Sequence, residues 1–268
     1  MESLADQFFI QIYYNIDILL VILARFIGFV VILPVLSGAS VPMIARLGLA
    51  LGFSFLVFTS GMVTEVSYYN TVFGFAMLLG TEFMVGFTLS YIVYLFFAVV
   101  HFVGQLMDFQ IGFAMVNVLD PVTQIQVPIT GNLWFLLISA LFIATGGLNI
   151  IISAMFLSYE ILPIGTAGIV GNNVTIFYIL HLMVQYFSLG VRIALPLAGV
   201  ILVIDITLGL LVKAMPQMNV FVVGMPMKVL IGLMVLFLIT PTFAGVYDWL
   251  FIAAYRGFLN VMGGLAPE

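Results

Sequence analysis

The run "VFGFAMLLGTEFMVGFTLSYIVYLFFAVVHFV", Val72 to Val103, holds one formally charged residue, Glu82, in 32 positions. A helix crosses the hydrocarbon core of a bilayer with roughly 20 apolar residues. In lipid every backbone donor and acceptor must be met within its own segment, which a helix does unaided. The run is too long and unbroken for a barrel strand. It predicts a membrane-type α-helix.

The same pattern extends outward in both directions. Five further apolar runs are visible: about Phe8 to Leu36, Ala45 to Val63, Leu133 to Leu162, Val174 to Val212 and Val220 to Ile239. The turns between them carry the expected punctuation, as in "SGASVP", "LPIGTAGIVGNN" and "KAMPQMN". The fold class expected is all-α, a polytopic membrane-type protein of about six long hydrophobic helical runs. Over the 268 residues, 65% are apolar and 6% charged. About a quarter charged is usual for a soluble domain, so a soluble fold is excluded. After Thr240, the residues Tyr247, Trp249, Tyr255 and Arg256 suit an interfacial helix.

Several function classes fall away. There is no cysteine, hence no disulfide, thiolate metal site or cysteine nucleophile. No charged tail points to nucleic acid. The start, "MESLADQFFIQIYYNIDILLVI", is acidic and shows no small-residue cleavage site, so the first run is expected to stay in the mature chain. GxSxG, HExxH, a P-loop and a dinucleotide-binding turn are all missing. His101 and His181 read as structural residues. No enzyme, cofactor or metal is expected. "GLALG", Gly48 to Gly52, has the GxxxG spacing of close helix contacts; such a short motif recurs by chance.

Charges inside apolar runs are more telling. Arg25, Glu82, Arg192 and Asp205 are each expensive in lipid. A polar pathway is one reading; pairing between helices or with another subunit is the favoured one. Orientation rests on few groups. Arg46 follows the first turn, and Lys213 and Lys228 flank the turn that holds Gln217 and Asn219. With six spans these turns share one side, and basic residues favour the cytoplasm.

The polar groups concentrate in one place, "QIGFAMVNVLDPVTQIQVP", Gln110 to Pro128. Gln105, Asp108 and Gly112 precede or enter it on one predicted helical face, with helix to about Ala114. Pro121 then disfavours helix at Asp120. Irregular backbone at membrane depth is tolerated only when it is buried in protein or lines a watery cavity. A re-entrant or pore-directed loop is expected, with a plain external loop as the alternative.

Three stretches resemble the FliR family of bacterial flagellar export-gate proteins: "SVPMIARLGLALGF", "GQLMDFQIGFAMVNVLDPVTQIQVP" and, most specifically, "PQMNVFVVGMPMK". The likeness runs in order over nearly the whole chain. It departs at "ATGGLNIII", Ala144 to Ile152, where many relatives have a polar Asn-Gly-His turn. The resemblance implies a FliP-like part over residues 1 to about 170, then a FliQ-like helical hairpin and tail over about 171 to 268. It implies assembly with FliP-like and FliQ-like subunits, alongside FlhB-like and FlhA-like components, into a gate for unfolded polypeptides. The place implied is the bacterial inner membrane, in the flagellar basal body. By position it assigns a plug to Phe113, Met115, Asn117, Asp120, Pro121, Gln124 and Gln126. It also implies that not every hydrophobic run is a bilayer crossing. An injectisome homologue shares this architecture, and a secondary transporter or small-solute channel is the competing class.

Overall fold

A computed structural model describes residues 13, 15–37, 41–63, 71–113, 128–167, 173–215, 217 and 219–266. Among these the regular structure is α-helical throughout: α1 (Ile16–Ile32), α2 (Pro34–Ser37), α3 (Met43–Ser60), α4 (Val72–Ile111), α5 (Ile129–Ala144), α6 (Gly147–Ile161), α7 (Asn173–Ala214), α8 (Val220–Ile239) and α9 (Thr242–Leu265). The all-α, membrane-type expectation holds. A count of six spans is not confirmed: among the described residues four helices are long and apolar enough to cross a membrane, or five if α5 and α6 form one broken span. The described part of the first run is a 17-residue helix. The fourth run breaks at Gly146, whose φ of 74° lies in the left-handed region that glycine enters without penalty.

Two compact units share the chain, and the long helices α4, α7 and α9 each pass through both. The first unit comprises Met1–Leu95, Gly146–Leu182 and Ala254–Glu268. Its centre is the crossing of α1 and α4. A Cβ on Gly28 would overlap the backbone of Phe83, and one on Gly86 would overlap the Arg25 carbonyl. The two backbones therefore touch, which only small residues permit. Gly48 and Gly52, the GxxxG pair legible in the sequence, have open space where a Cβ would sit. Around the crossing, Phe26 packs against Phe53, Phe156 and Tyr159, with ring centroids 5.7 to 5.9 Å away.

That crossing sets Arg25 against Glu82. Both are fully buried, and the Arg25 Nε donates to Glu82 Oε2 at 2.6 Å. The guanidinium has two further edges, and both are used on the end of α6. Nη1 donates to the Ser158 carbonyl at 3.1 Å and to its Oγ at 3.3 Å, while Nη2 donates to the Leu162 carbonyl at 3.0 Å. Its face lies 4.3 Å from the centre of the Tyr159 ring. The other Glu82 oxygen accepts from the Gly165 N–H at 2.9 Å, beyond the end of α6. A cation at a helix C-terminus meets open carbonyls and the negative end of the helix dipole. Arg25 and Glu82 thus pair within the chain, in keeping with the favoured structural reading.

The second unit comprises Phe96–Thr145 and Met183–Ala253. Phe96, Phe97, Phe142 and Tyr247 form its aromatic centre. Trp134 of α5 stacks on Phe243 of α9 with ring centroids 3.5 Å apart. The Thr145 and Tyr247 hydroxyls share a hydrogen bond, tying the end of α5 to α9.

Two outcomes are expected in thermal unfolding of the detergent-solubilised protein. Gly86→Ala should lower stability by about 3 kcal/mol, because backbone cannot yield as a flexible side chain does. Gly48→Ala should raise it by about 0.5 to 1 kcal/mol, the usual gain on an open helix face. A Gly86→Ala protein that melts like the parent would refute the backbone contact.

The charge pair gives a cycle. Arg25→Met and Glu82→Met should each cost about 3 to 5 kcal/mol, since each leaves one charge buried alone. The double substitution should recover part of the combined loss, less the cost of the uncapped α6 carbonyls. Strictly additive losses would show that the two groups are not coupled.

Candidate functional site

The sequence placed the functional weight on Gln110 to Pro128. Met115, Asn117, Asp120, Pro121, Gln124 and Gln126 lie outside the described residues. Phe113, half-buried, is described. So are the two places where the segment joins the fold, the end of α4 and the start of α5.

One residue organises both. Asp108 lies in the last turn of α4 and is 5% exposed. Its backbone carbonyl accepts from the Gly112 N–H at 3.1 Å and the Phe113 N–H at 3.0 Å. With Gly112 at φ 96°, this is the six-to-one closure by which glycine ends a helix. The helix stops at Ile111, short of the expected Ala114, because the left-handed glycine turns the chain away. The side chain of the same residue starts the next helix. Both Asp108 carboxylate oxygens lie 3.1 Å from the Thr130 N–H, in the first turn of α5. Pro128, at the α5 N-cap, has no side chain that can accept a hydrogen bond. The carboxylate supplies the acceptor across 22 residues of sequence, at the end of the helix that attracts negative charge.

A close backbone contact fixes the spacing. A Cβ on Gly104 would overlap the backbone of Gly131, so α4 and α5 meet without intervening side chains. The buried face of α4 is Gly104, Met107, Asp108 and Ile111. Asp108 lies at the edge of this buried face, and Gln105, three residues before it, is exposed. Ile111 in turn fills the space over Gly232 of α8.

The remaining candidates are dispersed. Asp205 of α7 forms an ion pair with Lys228 of α8, both partly exposed. Lys228 thus lies inside α8 and bridges to α7, where the sequence had put it at the edge of a turn. Lys213 is in the last turn of α7, and Gln217 and Asn219 lie in the connector to α8, both exposed. Arg192 is exposed on α7, and no ion pair or hydrogen bond reaches its side chain among the described residues. Parity among six spans is not confirmed, since four or five candidate spans are found among the described residues.

The clamp at Asp108 escaped the sequence reading, which noted the residue only as one acid among amides. The signal was available. Asp108 stands four residues after Gly104, on the same helical face, and the α5 start, "PITGN", has a proline where a capping side chain belongs.

Comparison with known proteins gives the geometry a family. Residues 16–253 match the model of "Bacterial export proteins, family 1". The chain is 31% identical to the "Flagellar biosynthetic protein FliR" of Aquifex aeolicus, covering 81% of this chain and 83% of the relative. It is 26% identical to the protein of that name from Escherichia coli, over 91% and 92% of the two chains. It is also 29% identical to the "Surface presentation of antigens protein SpaR" of Shigella flexneri, over 77% and 80%. An all-α, membrane-type chain with its likeness spread over this length belongs to the FliR family of bacterial export proteins.

Proposed function

We propose that this protein is a core membrane subunit of a type III protein export gate, of the flagellar branch. It carries no chemistry of its own and assembles with FliP-like and FliQ-like subunits around a path for unfolded polypeptides. FlhB-like and FlhA-like components would act beside it, in the inner membrane at the flagellar basal body. The observation that carries this reading is the likeness to FliR proteins over 81% or more of each chain. The injectisome reading stands second, because SpaR is as similar as the FliR proteins are.

The clamp supports a plug role for the segment it brackets. Asp108, Gly104 and Gly131 hold the two feet of residues 113–128 on packed helices. A fixed base leaves the intervening stretch to close or clear a path. Apolar side chains such as Phe113 and Met115 exclude water at a constriction, while Asn117, Gln124 and Gln126 meet backbone polarity without adding charge. By sequence, Pro121 disfavours helix at Asp120. The α7–α8 pair, with its five-residue connector Met215–Asn219 and its Asp205–Lys228 tie, suits the FliQ-like hairpin. The part before it suits the FliP-like role.

Replacing Phe113 to Gln124 with a glycine bridge should leave the FliP-like and FliQ-like subunits bound, since loop residues add little to assembly. The membrane should become leaky to small ions. Co-purification and membrane conductance read the two effects. An intact complex without a leak places the barrier elsewhere, and loss of the complex makes the segment structural.

Orientation has its own test. Lys213 at the end of α7 favours a cytoplasmic connector. Cysteines at Gln217 and Asn219 should resist an impermeant thiol reagent added outside intact cells. Labelling there, with a cytoplasmic control unlabelled, would invert the arrangement.

A further inference from the structure

Of the charges that the sequence placed in apolar runs, Arg25, Glu82 and Asp205 have partners within the chain. Arg192 does not. It stands 19 residues after Asn173 and 22 before Ala214, near the middle of a helix about 63 Å long. No other charged residue occurs from Asn173 to Arg192, nor between Arg192 and Asp205. Among the exposed side chains near it, Val184, Phe187, Leu195 and Val203 are large and apolar, and Gln185 is polar.

The backbone adds a second demand at the same point. Pro196 lies inside α7 and has no N–H, so the Arg192 carbonyl lacks its i+4 donor. The guanidinium therefore needs an acceptor and the carbonyl needs a donor, on a helix face that carries Ser188 and Gln185 but is otherwise mostly apolar. Acyl chains supply neither. Gly199, two turns on along the same face, has nothing within 4 Å of the position of a Cβ, which leaves room for another helix to come close.

We propose that the face of α7 around Arg192 is a docking surface for an apolar helix of another export subunit, and that this helix brings one carboxylate to pair with Arg192. The inference rests on the assembly reading above and adds to it the place and the chemistry of one contact. Charge complementarity selects the occupant. A carboxylate takes the guanidinium by two parallel hydrogen bonds, and burial on assembly strengthens the pair.

The substitution Arg192→Leu separates this surface from one that faces lipid, because the two predict opposite signs. A lipid-facing arginine is a burden, and leucine would relieve it. A docked arginine leaves a stranded carboxylate when removed, which weakens assembly roughly a hundredfold or more. The test uses the tagged full chain, co-expressed with the FliP-like and FliQ-like subunits and extracted in mild detergent. Native mass spectrometry reads bound subunits and bound lipid. Arg192→Leu and Arg192→Glu should lose subunits, Arg192→Lys should keep most of them, and all three chains alone should melt within a few degrees of the parent. Subunits retained by Arg192→Leu would overturn the proposal, and loss of bound phosphatidylglycerol in their place would assign the site to lipid. A parent chain that binds no other subunit would overturn the assembly reading and this inference together. A parent that binds and an Arg192→Leu chain that binds equally would overturn this inference alone.

Discussion

A helix that ends among apolar neighbours leaves carbonyls or N–H groups open, and each must be met. That constraint governs how this chain uses its few charges. Arg25 meets the Leu162 carbonyl just past the end of α6 and adds a second donor to the Ser158 carbonyl, and Asp108 meets an open N–H at the start of α5. The signs agree with the helix dipole in both cases, positive at a C-terminus and negative at an N-terminus. Neither group comes from the helix it caps. Each lies on a partner helix, so a single contact both ends one element and fixes it to another.

Glycine makes such long-distance capping possible. A guanidinium or carboxylate reaches a neighbouring helix end only if the helix axes come near. Gly28 and Gly86 bring α1 to α4, and Gly104 and Gly131 bring α4 to α5. In each pair of helices, the charged residue lies within four positions of one of the glycines. In the second unit the glycine contact joins the two helices that Asp108 ties together, whereas in the first it joins α1 to α4 and sets Arg25 against Glu82, with α6 as the capped helix.

What could be read from the sequence divides along the same line. Local pattern was sufficient for helix type: the sixth run was placed at Val220 to Ile239, where α8 lies, and the fifth within two residues of α7 at either end. Local pattern failed where a single residue decides the outcome. Gly146 splits the fourth run because its backbone is left-handed, which composition does not register. The GxxxG spacing pointed to Gly48 and Gly52, while the glycines in contact occur singly on separate helices. The Arg25–Glu82 pair spans 57 residues, beyond any periodicity argument. The central segment drew attention through its amides and prolines, yet the residue that holds both its feet is an ordinary aspartate in the preceding helix.

The network around Arg25 also sets an order of events during synthesis. Glu82 follows Arg25 by 57 residues, and the Leu162 carbonyl follows it by 137. At about 5 to 20 residues per second, the last of these groups is made roughly 7 to 27 seconds after Arg25. Until then the guanidinium of α1 has at most Glu82 of its final acceptors. The full network around Arg25 can therefore close only after α6 has been made, which makes the first helix's final environment depend on the chain that follows it by more than a hundred residues.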